Sequence, residues 1–409
     1  MTALSLNKDR IRFLFLEGIH AAAPATLSKA GYTNVTQLTT SLTGDDLREA
    51  LEHVHFLGIR SRTQLTAEVL AAAPRLVGVG CFCIGTNQVD LVAAERHGIP
   101  VFNAPFSNTR SVAELVLAEI IMLMRGIPAK NAAAHRGKWL KSASNAYEVR
   151  GKRLGIVGYG HIGTQLSVLA ESLGMKVRFY DIENKLPLGN AEVASDLESL
   201  LAESDIVSLH VPSTPLTDGM IGASELAEMK AGAILINASR GDVVQIDALD
   251  AALDSGQVGG AALDVFPVEP KANTEPFQSP LQRHDNVILT PHIGGSTQEA
   301  QQNIANEVAH KLVRYSDNGT TASAVNFPQA SLPDNLEHTR VLHIHHNEPG
   351  HLQRINQVFA DRGINIAAQY LQTTPAIGYV VMDIDVADPA ELIAELKALP
   401  GTIRARLLH

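Results

Sequence analysis

Cysteine is scarce in this chain: 409 residues carry two, Cys81 and Cys83. Two are too few for a disulfide framework, and they point to a reducing compartment. Their Cys-x-Cys spacing has no Cys/His partner set of zinc spacing beside it, so both read as strand core and no metal is expected. Basic runs are lacking as well. No five Lys or Arg are consecutive, and a net charge of −10 argues against nucleic acid as a general partner. Nor is there a long apolar run. The most apolar stretch, residues 112–124, is interrupted by Glu114 and Glu119 and is shorter than a membrane span requires. At the N-terminus Lys8, Asp9 and Arg10 precede an apolar run of only four residues, which is not a secretory pattern. The expectation is a cytoplasmic protein with no membrane association.

What is present is an ample core, with 45% hydrophobic residues, and a length that implies several domains. The most informative stretch is Leu154-Gly-Ile-Val-Gly-Tyr-Gly-His-Ile-Gly163. An apolar run that reads as a parallel strand enters Gly158-x-Gly160-x-x-Gly163. A helical pattern follows, and then a second strand over 177–180 that ends on Asp181. This is the order and spacing of a dinucleotide fingerprint. Gly158 serves the tight turn, Gly160 the close approach of backbone to pyrophosphate, and Gly163 the packing of helix on strand. The helix N-terminus favours phosphate. Asp181 accepts from ribose hydroxyls and repels a 2′-phosphate, which predicts NAD rather than NADP.

Strand–helix alternation extends on both sides of this stretch. Before it, residues 12–16, 56–59, 76–79 and 101–103 read as strands of parallel βα units with no glycine fingerprint. Asn103-Ala-Pro-Phe-Ser-Asn108 then breaks regular structure before a long helix and marks a hinge. After it, strands over 206–209, 234–236, 260–263 and 287–289 end on His210-Val-Pro212, Asn237-Ala-Ser-Arg-Gly241, Asp264-Val-Phe-Pro and Thr290-Pro-His-Ile-Gly-Gly295. Ligands bind outside the carboxyl ends of parallel strands. His210, Arg240, Asp264, Glu269 and His292 are therefore expected at one crevice. A histidine held by a carboxylate moves protons near neutral pH, and an arginine grips a carboxylate bidentately. Arg240, Glu269 and His292 together suit removal of a hydroxyl proton beside a carboxylate while hydride passes to a nicotinamide.

These blocks, with Asn103-Ala-Pro and Ser111-Val-Ala-Glu114, resemble the signature of the D-isomer-specific 2-hydroxyacid dehydrogenases over the whole chain. The resemblance implies two Rossmann-like, doubly wound α/β domains with the active site between them. The cofactor domain (108–297) is inserted into a substrate domain (1–107 and 298–330). Arg240 becomes the binder of the substrate carboxylate and carbonyl, His292 the acid/base and Glu269 its partner. Gly160, His161, Ile162, Gly163, Asp181, His210, Val211, Pro212, Ala238, Ser239, Asp264, His292, Gly294 and Gly295 become cofactor contacts, and Asn108 joins the substrate contacts. The bacterial type with a regulatory tail is the nearest likeness within the family. It implies oxidation of 3-phospho-D-glycerate to 3-phosphohydroxypyruvate, the first step towards L-serine, by a homotetramer.

Arg60-Ser61-Arg62 at a strand end, and Lys141 close after Trp139, offer cations for a phosphorylated substrate. A solvated basic patch is the competing reading. Residues 316–339 look like a polar connector punctuated by Gly319, Pro328 and Pro333. Beyond it, residues 338–409 have the order βαββαβ of a ferredoxin-like module. This module resembles the ACT fold, whose ligand positions fall on His345, Asn347 and Asn365, with L-serine as the implied inhibitory effector. His346 and Glu348 lie beside them. Two other functions compete: a dehydrogenase of glycerate, lactate or another small D-2-hydroxy acid, and an NAD-sensing corepressor that retains the catalytic blocks.

Overall fold

Short β-branched and aliphatic runs, closed by glycines and opened into helices by Asp and Thr N-caps, build two parallel sheets. Asp90 accepts from Ala93 N–H at 2.9 Å and Asp196 from Ser199 N–H at 2.7 Å, each occupying an otherwise unpaired donor of a first turn. The computed structural model describes residues 7–270, 274–334, 338–386 and 389–408. The chain divides into two compact units, Met1–Ser107 with Gln301–His409, and Asn108–Ala300. No helix among the described residues is long and apolar enough to cross a membrane.

The Asn108–Ala300 unit holds a seven-stranded sheet in the order Val287–Leu289, Val258–Leu263, Ala233–Asn237, Ile206–Leu209, Arg153–Val157, Lys176–Tyr180, Glu192–Val193. All its pairings are parallel. Its central strands are buried on both sides, as a sheet sandwiched between helices requires. Val112, Val116 and Ile120 of helix Thr109–Met124 and Leu166 of helix His161–Ser172 cover one face. Leu200, Leu226, Leu249 and Leu253, from three further helices, cover the other. Strand order reverses at Arg153–Val157, which has the next strand in sequence on one side and Ile206–Leu209 on the other. Such a switch point opens a crevice at the carboxyl ends.

The other unit contains a five-stranded parallel sheet, ordered Val35–Gln37, Phe13–Phe15, Phe56–Ile59, Gly78–Cys81, Val101–Phe102. Sequence reasoning passed over Val35–Gln37 and helix Gly44–Leu51. The strand lies at an exposed edge, and the helix buries only Leu47 and Leu51. Phe13 stacks on Phe56 at 4.7 Å, and Tyr315 of the long helix Gln298–Asn318 packs edge-on to Phe56. Cys81 is buried in its strand, as expected, while Cys83 lies just beyond it and is half-buried.

The C-terminal module is βαββαβ: Thr339–His346, His351–Asp361, Ile366–Thr373, Ile377–Ile384, Ala390–Ala398, Thr402–Leu407. Its antiparallel sheet is ordered Ile366–Thr373, Ile377–Ile384, Thr339–His346, Thr402–Leu407. Val341, Val380 and Met382 face the module's own helices. Leu342, Ile344, Tyr379 and Val381 face Tyr315, Phe327 and Leu332. This corrects the reading of the connector as a polar linker. Ser316 and Asn318 belong to the end of a helix, and Thr320, Thr321, Phe327 and Leu332 are buried under the module. Arg340 grips Asp383 bidentately at 2.6 and 2.8 Å and also donates to the carbonyls of Asn318 and Pro333. Asn335, read as part of that connector, lies outside the described residues.

Candidate active site

Strand Arg153–Val157 turns at Gly158, whose φ of +92° lies in the region that favours glycine. A Cβ at Gly158 would collide with the carbonyl oxygen of His210, and one at Gly163 with that of Gly158. These two glycines are demanded by the protein itself. Gly160, the N-cap of helix His161–Ser172, is different: a Cβ there meets nothing within 4 Å. Open space over backbone at a helix N-terminus is what a pyrophosphate needs, so the residues fit a dinucleotide. His161 begins the helix and Ile162 packs towards the sheet core. Asp181 accepts from Tyr159 N–H at 2.8 Å and from Glu183 N–H at 2.9 Å. Both oxygens are thereby oriented, with a lone pair each remaining for ribose hydroxyls.

The next strand end, His210 to Pro212, runs beside Gly158. The His210 ring is tied to Ser208 Oγ at 2.9 Å, and burial pushes it down to about 4, so it is neutral. It does not join the ion pair formed by Glu269 and His292.

The loops that follow the remaining strands hold one another in place. Asn237 Nδ2 donates to the Arg240 carbonyl at 2.9 Å, and its Oδ1 accepts from Ser239 N–H and Oγ–H. This shapes Ala238-Ser239-Arg240. Asp264, 2% exposed, accepts from Thr290 Oγ–H at 2.6 Å, Ile293 N–H at 2.8 Å and Gly294 N–H at 2.7 Å. The loop bearing His292 is thus folded onto one carboxylate. His292 itself sits at φ +53°, a left-handed conformation that costs roughly 1 kcal/mol or more in a non-glycine residue and persists only where neighbours enforce it.

His292 Nδ1 lies 2.9 and 3.1 Å from the Glu269 carboxylate oxygens. A carboxylate only accepts, so Nδ1 carries the proton and Nε2 is the nitrogen left to exchange one. The hydrogen bond to Glu269 raises the histidine's pKa against the effect of burial, and the charges of Glu269 and Asp264 add to the rise. Burial pushes the Glu269 carboxyl up. The hydrogen bond and charge of His292, the Phe266 N–H and the nearby Arg240 outweigh it and hold the group below its ordinary range. Arg240 acts electrostatically on both members of the pair, and its Nη1 donates to the Ser239 carbonyl at 2.7 Å. The structure therefore brings Arg240, Asp264, Glu269 and His292 together. Asn108 is buried against Gly295, and its Oδ1 lacks a partner among the described residues. Lys141 stands on an exposed loop two residues past Trp139, whose side chain is 87% exposed.

In the other unit, Arg60-Ser61-Arg62 is wrapped around a residue that sequence reasoning missed. Glu17, buried and at φ +62°, accepts from the backbone N–H groups of Arg60, Arg62 and Thr63 at 3.2, 3.0 and 2.9 Å. Its carboxylate also lies 3.7 Å from Arg62 Nε, so Arg62 is partly neutralised. Buried Gln88 donates to the Arg60 carbonyl at 2.6 Å.

The expected effector residues do not meet within one chain. His345 pairs with Gly378 and Asn347 donates to the Thr374 carbonyl, at one end of strand Ile377–Ile384. Asn365 bonds Asp385 at 2.9 Å at the other end, eight residues or roughly 25 Å away. His345 is buried rather than presented on a loop. Burial, with neighbouring His351 and His343, pushes it down to about 3.

Comparison with known proteins agrees with this geometry. Residues 117–294 match the family model "D-isomer specific 2-hydroxyacid dehydrogenase, NAD binding domain", and residues 341–404 match "AHAS small subunit-like ACT domain". The D-3-phosphoglycerate dehydrogenase of Haemophilus influenzae is 61% identical over 406 residues, covering 99% of both chains. That of Escherichia coli K12 is 60% identical over the full length of both. Among solved structures, D-lactate dehydrogenase from Aquifex aeolicus, complexed with NAD and lactic acid, superposes with a TM-score of 0.65. It is 29% identical and covers 74% of this chain and 95% of its own. With relatives this similar end to end, the chain belongs to the D-isomer-specific 2-hydroxyacid dehydrogenase family.

Proposed function

We propose that the chain oxidises 3-phospho-D-glycerate to 3-phosphohydroxypyruvate in the cytoplasm, with NAD as the acceptor, as the first step towards L-serine. The observation that carries the reaction is the His292–Glu269 pair within the field of Arg240, and the choice of substrate is supported by the 60–61% identity to D-3-phosphoglycerate dehydrogenases. Arg240 grips the substrate carboxylate, His292 Nε2 takes the C2 hydroxyl proton, and Glu269 stabilises the imidazolium that results. NAD, when bound, accepts the hydride released from C2. Gly158, Gly160, Gly163 and Asp181 hold it, with His210 to Pro212, Ala238, Ser239, Asp264, Gly294 and Gly295 along its length. The phosphate falls to Arg60, Ser61 and Lys141, with Asn108 beside the substrate. The domains follow as 1–107 with 298–330 for substrate, 108–297 for NAD and 338–409 for regulation.

Among the described residues strand Ile366–Thr373 has one neighbour and no buried residue, so it is an edge able to pair with a second copy. Pairing supplies what one chain lacks, Asn365 opposite His345 and Asn347, and supports L-serine binding between copies of a homotetramer. The test is NADH formation with 3-phosphoglycerate, glycerate and lactate. A clear preference for the phosphorylated acid is expected, and Arg60→Ala should raise KM for it at least tenfold while leaving KM for glycerate nearly unchanged. Equal turnover of glycerate or lactate would overturn the substrate, and no turnover of any of the three would overturn the reaction.

A further inference from the structure

Three imidazoles of the C-terminal module converge where the protein leaves them unsatisfied. His343 and His345 project from the same face of Thr339–His346, and His351 opens the helix that covers that face. Their exposures are 0, 3 and 1%. Ring centroids lie 5.4, 5.8 and 4.2 Å apart, with His345 and His351 stacked at 4°. His343 Nδ1, His345 Nδ1 and His351 Nε2 are buried without a hydrogen-bond partner among the described residues. An unpaired buried polar atom costs about 1–3 kcal/mol, so three in one place call for an occupant.

One ring nitrogen from each of the three histidines lies within 4.8 Å of the other two. His343 Nε2 faces the Leu396 carbonyl at 3.4 Å and Thr402 Oγ at 3.0 Å. A carbonyl only accepts, so Nε2 carries the proton and the lone pair lies on Nδ1. A backbone carbonyl behind the ring is also the usual outer partner of a metal-bound histidine. On His351, Nδ1 accepts from Arg354 Nη2 at 3.0 Å. That contact leaves the ring proton on Nε2. Arg354 is exposed and can leave for water, whereupon the proton moves to Nδ1 and frees the Nε2 lone pair for a metal.

We propose that His343, His345 and His351 bind one Zn²⁺ per chain. Imidazole suits zinc, and three such ligands leave a fourth position for water. Zinc–nitrogen distances of about 2.0–2.1 Å place ligand nitrogens roughly 3.4 Å apart. The three rings therefore turn inward by about an ångström, and His345 and His351 leave their stack. Arg354 acts as a competitor, because it occupies a His351 nitrogen and adds a positive charge. The site shares His345 with the proposed effector set, but His343 and His351 belong to neither the serine nor the catalytic set, so variants at those two positions test it separately.

The test uses the full-length chain stripped with EDTA. It is titrated with Co²⁺ for the visible absorption of a tetrahedral site, and with Zn²⁺ against a chromogenic chelator. One equivalent per chain is expected, with affinity lowered at least 100-fold in His351→Leu and His343→Leu. Wild-type protein that shows no tetrahedral Co²⁺ spectrum, or binds no better than His351→Leu, overturns the assignment. Arg354→Gln changes only an exposed side chain and keeps the test decisive should the buried variants fold poorly. It should tighten Zn²⁺ binding several-fold, and unchanged or weaker binding overturns the proposal.

Discussion

His292 and Glu119 show how placement within one unit gives two titratable groups opposite characters. His292 is kept basic by its hydrogen bond to Glu269. Oxidation needs the neutral imidazole as base, so the rate rises with pH through the histidine's pKa. Glu269→Gln removes the cause of the raised value, and the acidic limb of the kcat/KM profile should move to lower pH while the maximum falls. His292→Ala should lose roughly 100- to 10,000-fold in kcat with NAD affinity nearly intact, measured by fluorescence titration. Glu119 does no such work. It is fully buried in helix Thr109–Met124, both its oxygens lack partners among the described residues, and burial, with Asp264's charge, pushes it up to about 8. The native state holds a proton that the unfolded state loses above about pH 4.5. Its contribution to stability is complete below that pH and is lost as pH rises through about 8. Glu119→Gln keeps the shape without the titration, and should remove on the order of 3–5 kcal/mol of the fall in unfolding free energy between pH 4.5 and 9. Equal pH dependence in urea unfolding of the two proteins would refute this.

The glycine turn separates structural from ligand-binding need within one element. Gly163 has the Gly158 carbonyl where its Cβ would go, whereas Gly160, at φ −80°, has open space. Gly163→Ala should therefore lower the melting temperature by several degrees. Gly160→Ala should fold normally and bind NAD at least tenfold more weakly. The reverse pattern would show that the turn is not built for a pyrophosphate.

For the whole chain, the buried connector changes how regulation should be probed. Cutting away residues 337–409 would strip cover from Tyr315, Phe327 and Leu332, which pack against Leu342, Tyr379 and Val381. Such a truncation should lose serine inhibition and also become prone to aggregation, so lost activity would not report on the effector. Asn347→Ala is the cleaner change, since it removes one side-chain bond to the Thr374 carbonyl at an exposed turn. It should raise the serine concentration for half-inhibition at least tenfold with kcat unchanged, in steady-state assays. Unaltered inhibition would place the effector elsewhere.

Sequence by itself determined whatever depends on neighbours along the chain. The fingerprint from Leu154 to Asp181 is one strand–turn–helix–strand unit, so its glycines and its acid are legible as spacing. Arg240, Glu269 and His292 are legible because parallel strands separated by helices put all their carboxyl ends on one edge. The tail's βαββαβ order is likewise local periodicity. Tertiary structure alone decided which polar groups face each other across long separations. Asp264 clamps Thr290 to Gly294, and Glu17 organises the Arg60 loop from 43 residues away. Nothing in local spacing marks either carboxylate as a hub for backbone N–H groups. Strand register decided the rest. Antiparallel pairing sets Asn365 at the far end of the sheet from Asn347, and a helix start places His351 over His343 and His345. The connector reads as polar because its threonines and asparagines are polar, yet Asn318, Thr320 and Thr321 are buried, since their hydrogen bonds are made inside the fold. Thr320 N–H bonds Asn318 Oδ1, and Thr321 Oγ–H bonds the Pro328 carbonyl. A polar group satisfied by the protein can leave water at little cost, and whether it is satisfied is a property of the folded chain.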